Sequence, residues 1–270
     1  MIEPTPEDEA ALEATKAPLM EHLIELRKRL VWGLLSFGVA FVICFAFSGQ
    51  IFDFLAAPLH HALKGRPNDH LIYTALTEVF FTRVKIGMFG GFCLGFPFIA
   101  TQLWLFIAPG LYKHEKNAFW PFLVATPILF IIGSAFVYYV MLPFSIAFFA
   151  GYQVPSTAGS MGIELQAKVE EYLDLVMRLM VVFGLTFQLP VLLSILAKVG
   201  IVTVKQLTEM RRYAIVALVA VAAVFTPPDP ISMISLAIPL VALYEVSILC
   251  VRLITIGKAR DAARRAAENP

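Results

Sequence analysis

Two carboxylates stand among basic residues in a chain whose long segments are mostly apolar. Glu25 lies in the stretch LMEHLIELRKRLVW, and Glu115 lies in LYKHEK, just after an apolar segment that ends in a Pro-Gly turn. An acid among several cations beside an apolar segment is unusual. The two acids are therefore candidate functional residues.

Each acid also has a purely local interpretation. Leucines recur at helical spacing through residues 19–30, which predicts an amphipathic helix entering the first apolar segment. Glu25 and Arg29 are four residues apart on it, the order that favours an intrahelical pair worth about 0.2–0.5 kcal/mol. Glu115 precedes another apolar segment and would meet the positive end of that helix. Spacing alone leaves both interpretations open.

The elements that must position these acids are membrane spans. Hydrophobic residues make up 59% of the 270 residues, only 15% are charged, and the mean hydropathy is +0.78. Soluble domains have roughly a quarter of their residues charged, so this apolar content predicts an all-α protein in lipid. The apolar segments are 30–48, 78–108, 118–150, 173–197, 213–226 and 231–251.

Charge placement predicts that all six segments cross the membrane. The fifth gives about 20 Å of helix before the prolines of TPPDP, so length alone also allows a re-entrant segment. Six spans place most of the 21 Lys and Arg residues on the side that holds both termini, which the positive-inside rule makes cytoplasmic. We expect residues 1–17 to form a disordered acidic tail, 18–252 the membrane domain with short fifth and sixth helices, and 253–270 a basic cytoplasmic tail.

The remaining composition argues against an enzyme. All five histidines lie outside the apolar segments, and HEKNA at His114 has alanine where a zinc-binding HExxH motif needs its second histidine. The three cysteines fall inside apolar segments without metal-ligand or disulfide-framework spacing. We therefore expect no catalytic residues, no metal and no cofactor.

Four motifs together resemble one family. They are HLIELRKRL at 22–30, APL at 57–59, LWLFIAPGLYKHEK at 103–116 and TPPD at 226–229. In this order they resemble TatC, the polytopic core subunit of the twin-arginine protein translocase, over about residues 18–257. The resemblance implies six helices in a concave cup, with short fifth and sixth helices and both termini cytoplasmic, in a bacterial inner membrane. It also implies binding of signal peptides with an arginine pair, and export of folded proteins with single-span TatA- and TatB-type partners, driven by the proton-motive force.

The resemblance assigns roles to individual residues. It implies that Glu25 and Glu115 bind the two signal arginines and that Phe106 belongs to the same cytoplasmic site. Arg27 and Arg29, in the same motif as Glu25, complete the predicted set of signal-peptide contacts.

Four further positions are predicted to dock a partner or to stabilise the fold. Pro58 and Asp229 match positions that the family uses on the outer side and near the short fifth helix. Gln188 stands where many family members carry glutamate, so a proton relay there is in doubt, while a partner dock and a hydrogen bond within the bundle both remain open. We expect Glu245 to be neutral or paired in a groove that faces a partner.

Two other functional classes compete with this prediction. A secondary transporter for a small solute would suit the helix break at TPPDP, but the chain has no internal repeat and few polar groups at mid-depth. A structural membrane anchor would leave Glu25 and Glu115 inert. We otherwise expect contacts with membrane lipid and self-association in a multimeric complex, and no nucleic-acid binding.

Overall fold

The computed structural model describes residues 6–63, 71–107, 120–154, 161–163, 165–226 and 229–268, and these residues are mainly helical. The helices are α1 (Pro6–Ala46), α2 (Ser48–Leu63), α3 (Glu78–Ile107), α4 (Trp120–Phe136), α5 (Leu142–Ala150), α6 (Val169–Thr186), α7 (Leu189–Val199), α8 (Val204–Glu209), α9 (Arg211–Phe225) and α10 (Pro230–Glu268). A π-helical segment, Val137–Met141, joins α4 to α5. The all-helical prediction is therefore confirmed for this part of the chain.

Five stretches of the described residues are long and apolar enough to cross a membrane: Leu23–Ala46, Glu78–Phe106, Pro121–Ala150, Val169–Lys198 and Ser232–Gly257. They overlap five of the predicted spans. The predicted fifth span, 213–226, corresponds to α9, whose 15 residues give a helix of about 22 Å. The short sixth span is not confirmed: α10 has 39 residues, and the candidate span within it has 26.

Both ends of the described chain are helical. α1 begins at Pro6, inside the segment 1–17 that was expected to be disordered. Alanine and glutamate, which dominate that segment, are among the better helix formers, and this explains the difference. α10 likewise continues through the basic, alanine-rich tail as far as Glu268.

A row of small residues lets α1 lie directly against α3. Gly87, Gly91 and Gly95 repeat every four residues on the α3 face that meets the phenylalanines of α1. A Cβ atom at Gly91 would lie 2.7 Å from Cα and 2.8 Å from N of Phe41. Such backbone proximity is how helices associate in lipid, where the hydrophobic effect between them is absent. This contact holds α1 and the end of α3 together at the predicted cytoplasmic site.

Two of the long spans are not regular helices. The fourth is interrupted at Phe187 and Gln188, between α6 and α7, because Pro190 in the first turn of α7 has no N–H to bond the preceding turn. The third contains the π-helical segment, which shifts the side chains after it around the helix axis. Both irregularities place a polar side chain against a neighbouring helix.

The segment between the first and second spans meets the segment between the third and fourth spans. The first contains α2, which the sequence did not predict as a helix. Ile72, which follows it, donates its backbone N–H to Ala167 O at 3.1 Å and accepts from Val169 N at 2.9 Å. The start of α6 is therefore fixed to the loop that precedes α3.

Candidate functional site

A groove beside the first turns of the first span brings Glu25 together with Arg29 and Gln102. Arg29 Nη2 donates to Glu25 Oε1 at 3.1 Å, and Arg29 Nη1 donates to Gln102 Oε1 at 3.3 Å, which links α1 to α3. The two charged side chains are 31% and 28% exposed. Ile24, Lys28 and Trp32 complete the lining of this groove, whose volume is about 530 Å³. An acid accessible to a ligand thus stands beside cations and one aromatic ring.

The pair that spacing predicted, Glu25 with Arg29, is therefore present. Among the described residues only Arg29 bonds the Glu25 carboxylate, through one of its two oxygens. A half-exposed pair of this kind contributes about 0–1 kcal/mol, so exchange of Arg29 for another guanidinium has a small cost.

The structure does not place the other predicted signal-peptide contacts in the lining of this groove. Arg27 is exposed and lies about 200° around α1 from Glu25, so the structure does not bring it into the groove. Phe106 is half-buried one turn beyond Gln102 on the same face of α3, in the last turn of that helix. Glu115 lies outside the described residues.

Gln188 takes part in the bundle through one of its two polar atoms. Its Nε2 donates to the backbone oxygen of Thr126 in α4 at 2.8 Å. The Thr126 hydroxyl in turn accepts from Trp104 Nε1 of α3 at 3.0 Å, so three spans meet here. The Gln188 carbonyl oxygen is buried and has no hydrogen-bond partner among the described residues.

Pro58 lies inside α2 and is buried. Proline has no N–H, so the carbonyl of Phe54, four residues earlier, loses its helical donor. The hydroxyl of Tyr138, in the π-helical segment, donates to Phe54 O at 2.8 Å, and its ring stacks on the Phe54 ring at 4.4 Å. The hydroxyl of Tyr172, in α6, donates to the next carbonyl, Leu55 O, at 3.0 Å. Pro58 thus creates an acceptor by which α2 is joined to the third span.

Asp229 and Glu245 both have structural partners. Asp229 Oδ1 accepts from Ser232 N at 2.7 Å, which makes Asp229 the N-cap of α10, while its Oδ2 is buried without a partner in the described chain. Glu245 Oε2 accepts from Arg211 Nη2 at 2.8 Å, with side-chain exposures of 41% and 47%. Glu245 is therefore paired, as expected, and it links α10 to α9.

Sequence reasoning missed a second group of charged residues at the start of α3 and α6. Glu78 is 6% exposed and accepts from the backbone N of Thr74 at 2.8 Å and of Ala75 at 3.3 Å, so it closes the turn that begins α3. Lys85 Nζ lies 2.6 Å from Glu170 Oε1 and 2.8 Å from Asp174 Oδ2. The available signal was a lysine in an apolar span together with two acids four residues apart in another.

Comparison with known proteins identifies the class. The family model described as "Sec-independent protein translocase protein (TatC)" matches residues 21–239. A relative of the same name from Magnetococcus marinus is 47% identical over 253 residues, covering 94% of this chain and 90% of the relative. Another, from Aquifex aeolicus, is 37% identical over 241 residues, covering 89% and 97%.

A solved structure agrees with these sequence matches. The crystal structure described as the twin-arginine translocase receptor TatC superposes with a TM-score of 0.75 at 37% identity, covering 87% of this chain and 99% of that one. A second crystal structure of that receptor, in the detergent DDM, gives 0.74.

The fold and these matches define a polytopic helical membrane protein of a protein-transport system, rather than an enzyme. The chain belongs to the TatC family. The motifs from HLIELRKRL to TPPD therefore identified the family correctly.

Proposed function

We propose that the chain recognises the arginine pair of twin-arginine signal peptides at the groove around Glu25, as the receptor subunit of a translocase for folded proteins. The observation that carries this proposal is the partly exposed Glu25 carboxylate, whose hydrogen-bond partner among the described residues is Arg29. Phe106 and Trp32 offer apolar surface near it, suited to the residues that flank an arginine pair.

Two arginines need two acceptors a few ångströms apart. Glu25 supplies one, and we propose that Glu115 supplies the other from the segment that follows α3. α1 and α3 pack at backbone distance along their glycines, and Arg29 bonds Gln102 nearer their ends, so the segment after α3 begins close to Glu25. A guanidinium bonds a carboxylate through two parallel N–H groups, whereas an ammonium offers one compact charge, so two such sites favour Arg-Arg over Lys-Lys.

The proposal includes a topology and a set of partners. We propose six membrane crossings, with α9 as the short fifth, and both termini on the cytoplasmic side of a bacterial inner membrane, supported by the distribution of Lys and Arg. Single-span TatA- and TatB-type proteins and further copies of the chain would complete the translocase, with the proton-motive force supplying the energy. We propose that Gln188, a polar and partly exposed residue of the fourth span, docks a helix of such a partner.

Binding of matched signal peptides tests the central claim. Arg-Arg and Lys-Lys forms of one peptide would be titrated onto the purified chain, Glu25→Ala, Glu115→Ala and the double variant, at two salt concentrations. A hydrogen bond to a charged group contributes about 1.5–3 kcal/mol, so each single variant should bind the Arg-Arg form roughly 10- to 100-fold more weakly. Discrimination against Lys-Lys should fall with it.

A matched control keeps this test specific. Glu209 is another acid with a lysine one helical turn away, Lys205 at 3.9 Å, but it lies outside the groove. Glu209→Ala should bind both peptides as the unmodified chain does. Folded Glu25→Ala and Glu115→Ala variants that retain the full Arg-Arg preference would contradict the proposal.

A further inference from the structure

Arg178 is an exposed arginine inside a membrane-spanning helix. It lies in α6, within the span Val169–Lys198, and in the described residues its guanidinium makes no ion pair or hydrogen bond. Ionisable side chains in spans are rare, and they usually pair with another group or face a functional site. Arg178 therefore calls for an anionic partner from outside the described chain.

The nearest acid along the helix is already engaged. Asp174 lies four residues before Arg178, the spacing at which an acid and an arginine usually pair. Its Oδ2 instead contacts Lys85 Nζ at 2.8 Å, and the same Lys85 contacts Glu170 Oε1 at 2.6 Å. Because Lys85 of α3 pairs with Glu170 and Asp174, the Arg178 guanidinium can bind another ligand.

The depth of Arg178 fits the headgroup boundary. The span has 30 residues and is about 45 Å long, close to the 40–45 Å of a bilayer with its headgroups. Arg178 lies about 13.5 Å from the start of α6. Side chains of a helix lean towards its N-terminus, so the guanidinium reaches about the level of Asp174, roughly 7.5 Å from that start. Phosphates of lipid headgroups lie at this boundary, and long basic side chains extend towards them.

An acid stands on the same face of α6 nearer the surface. Glu171 is two turns before Arg178, and its side chain is 75% exposed. Its partner among the described residues is Lys168, at 3.4 Å, in an exposed pair that contributes little. The Cα atoms of the two residues are about 10.5 Å apart along the helix axis, and because the arginine side chain leans towards the N-terminus, the cation and the anion lie closer together than that.

An apolar cavity opens beside these two charges. It has a volume of about 250 Å³ and lies between α5, α6 and the start of α10. Glu171 is at its rim, and Leu175 and Leu179, which flank Arg178 along α6, line its wall. The cavity is suited to part of one acyl chain.

We propose that this face of α6 binds one phospholipid with an ethanolamine headgroup. Its phosphate accepts from Arg178, its ammonium donates to Glu171, and one acyl chain enters the cavity. The guanidinium fork matches a phosphate bidentately. A choline headgroup has no N–H to donate to Glu171, and a glycerol headgroup has no positive charge. The site does not depend on the groove at Glu25, so signal-peptide binding and lipid binding fail separately.

Native mass spectrometry of the full chain tests the proposal. The protein would be stripped of lipid in detergent and titrated with phosphatidylethanolamine, phosphatidylcholine or phosphatidylglycerol with identical chains. One ethanolamine lipid should bind more tightly than the other two. Arg178→Gln should weaken binding of the ethanolamine and choline lipids about tenfold, whereas Glu171→Gln should remove the preference between them. Arg83→Gln, at an exposed arginine of α3 away from this face, is the matched control and should leave binding unchanged.

Several results would overturn it. Equal or tighter binding of phosphatidylglycerol, or unchanged lipid binding by folded Arg178→Gln, would exclude the site. Loss of a copurifying protein from Arg178→Gln, with lipid binding intact, would assign the arginine to a partner helix instead. Melting temperatures without added lipid report whether each variant folds. If Arg178→Gln does not fold, the lipid preference of Glu171→Gln alone tests the proposal.

Discussion

Removal of the Tyr138 hydroxyl should destabilise the protein only while residue 58 is proline. Tyr138 is 8% exposed and donates at 2.8 Å to Phe54 O, the carbonyl that Pro58 leaves without a helical donor. Tyr138→Phe retains the ring stacked on Phe54 and removes only this donor. This hydrogen bond is only partly buried, so its loss costs about 1–1.5 kcal/mol, which lowers the melting temperature by about 2–4 °C per kcal/mol.

A double-mutant cycle isolates the effect. Pro58→Ala restores the N–H that bonds Phe54 O, so Tyr138→Phe in that background should cost less than about 0.5 kcal/mol. The coupling between the two sites should then be about 1 kcal/mol or more, measured by thermal unfolding in detergent. Tyr139→Phe is the control, because the neighbouring ring is 70% exposed. Equal costs of Tyr138→Phe in both backgrounds would refute the proposed compensation.

Three further substitutions test the packing and the caps. Gly91→Val places a Cβ atom 2.7 Å from the α1 backbone and should abolish recovery of folded protein, whereas Gly33→Val, where a Cβ meets nothing within 4 Å, should fold, as monitored by size-exclusion profiles. Asp229→Ala should cost about 1 kcal/mol of unfolding free energy by removing the acceptor for Ser232 N, and Asp229→Asn should restore most of it in the same thermal scans. Gln188→Leu should weaken association with a partner helix by about 1 kcal/mol, seen as reduced crosslinking, while Gln188→Glu is tolerated. Unchanged crosslinking of Gln188→Leu would show that the residue only makes a contact within the bundle.

Features that repeat along the chain were predictable. The lengths of the apolar segments predicted five candidate spans. About 20 apolar residues are needed to cross the hydrocarbon, and a run of that length is easily recognised in a sequence. The pair of Glu25 with Arg29 followed from helical spacing. Helix capping is also a local feature, so the N-cap role of Asp229 could be predicted from its position directly before Pro230.

Contacts between helices that are distant in the chain were not predictable from the same signals. Arg29 meets Gln102 across 73 residues, and Tyr138 meets Phe54 across 84. Which side chains meet depends on the rotation of each helix about its axis, and a single π-helical turn changes that rotation. The hydropathy pattern is nearly uniform around these helices because one side faces lipid and the other faces protein, so it carries little information about rotation.

If Glu25 binds a signal arginine as proposed, its bond from Arg29 acts as an internal competitor. A cation that binds Glu25 competes with a guanidinium already bonded to one oxygen of the carboxylate, so the pair reduces its observed affinity. A ligand guanidinium can replace Arg29 with the same geometry and gains from its second contact, whereas an ammonium competes with a better-matched group. On this proposal the internal pair lowers the affinity for lysine more than for arginine, and Arg29→Ala should raise the affinity for lysine peptides more than for arginine peptides.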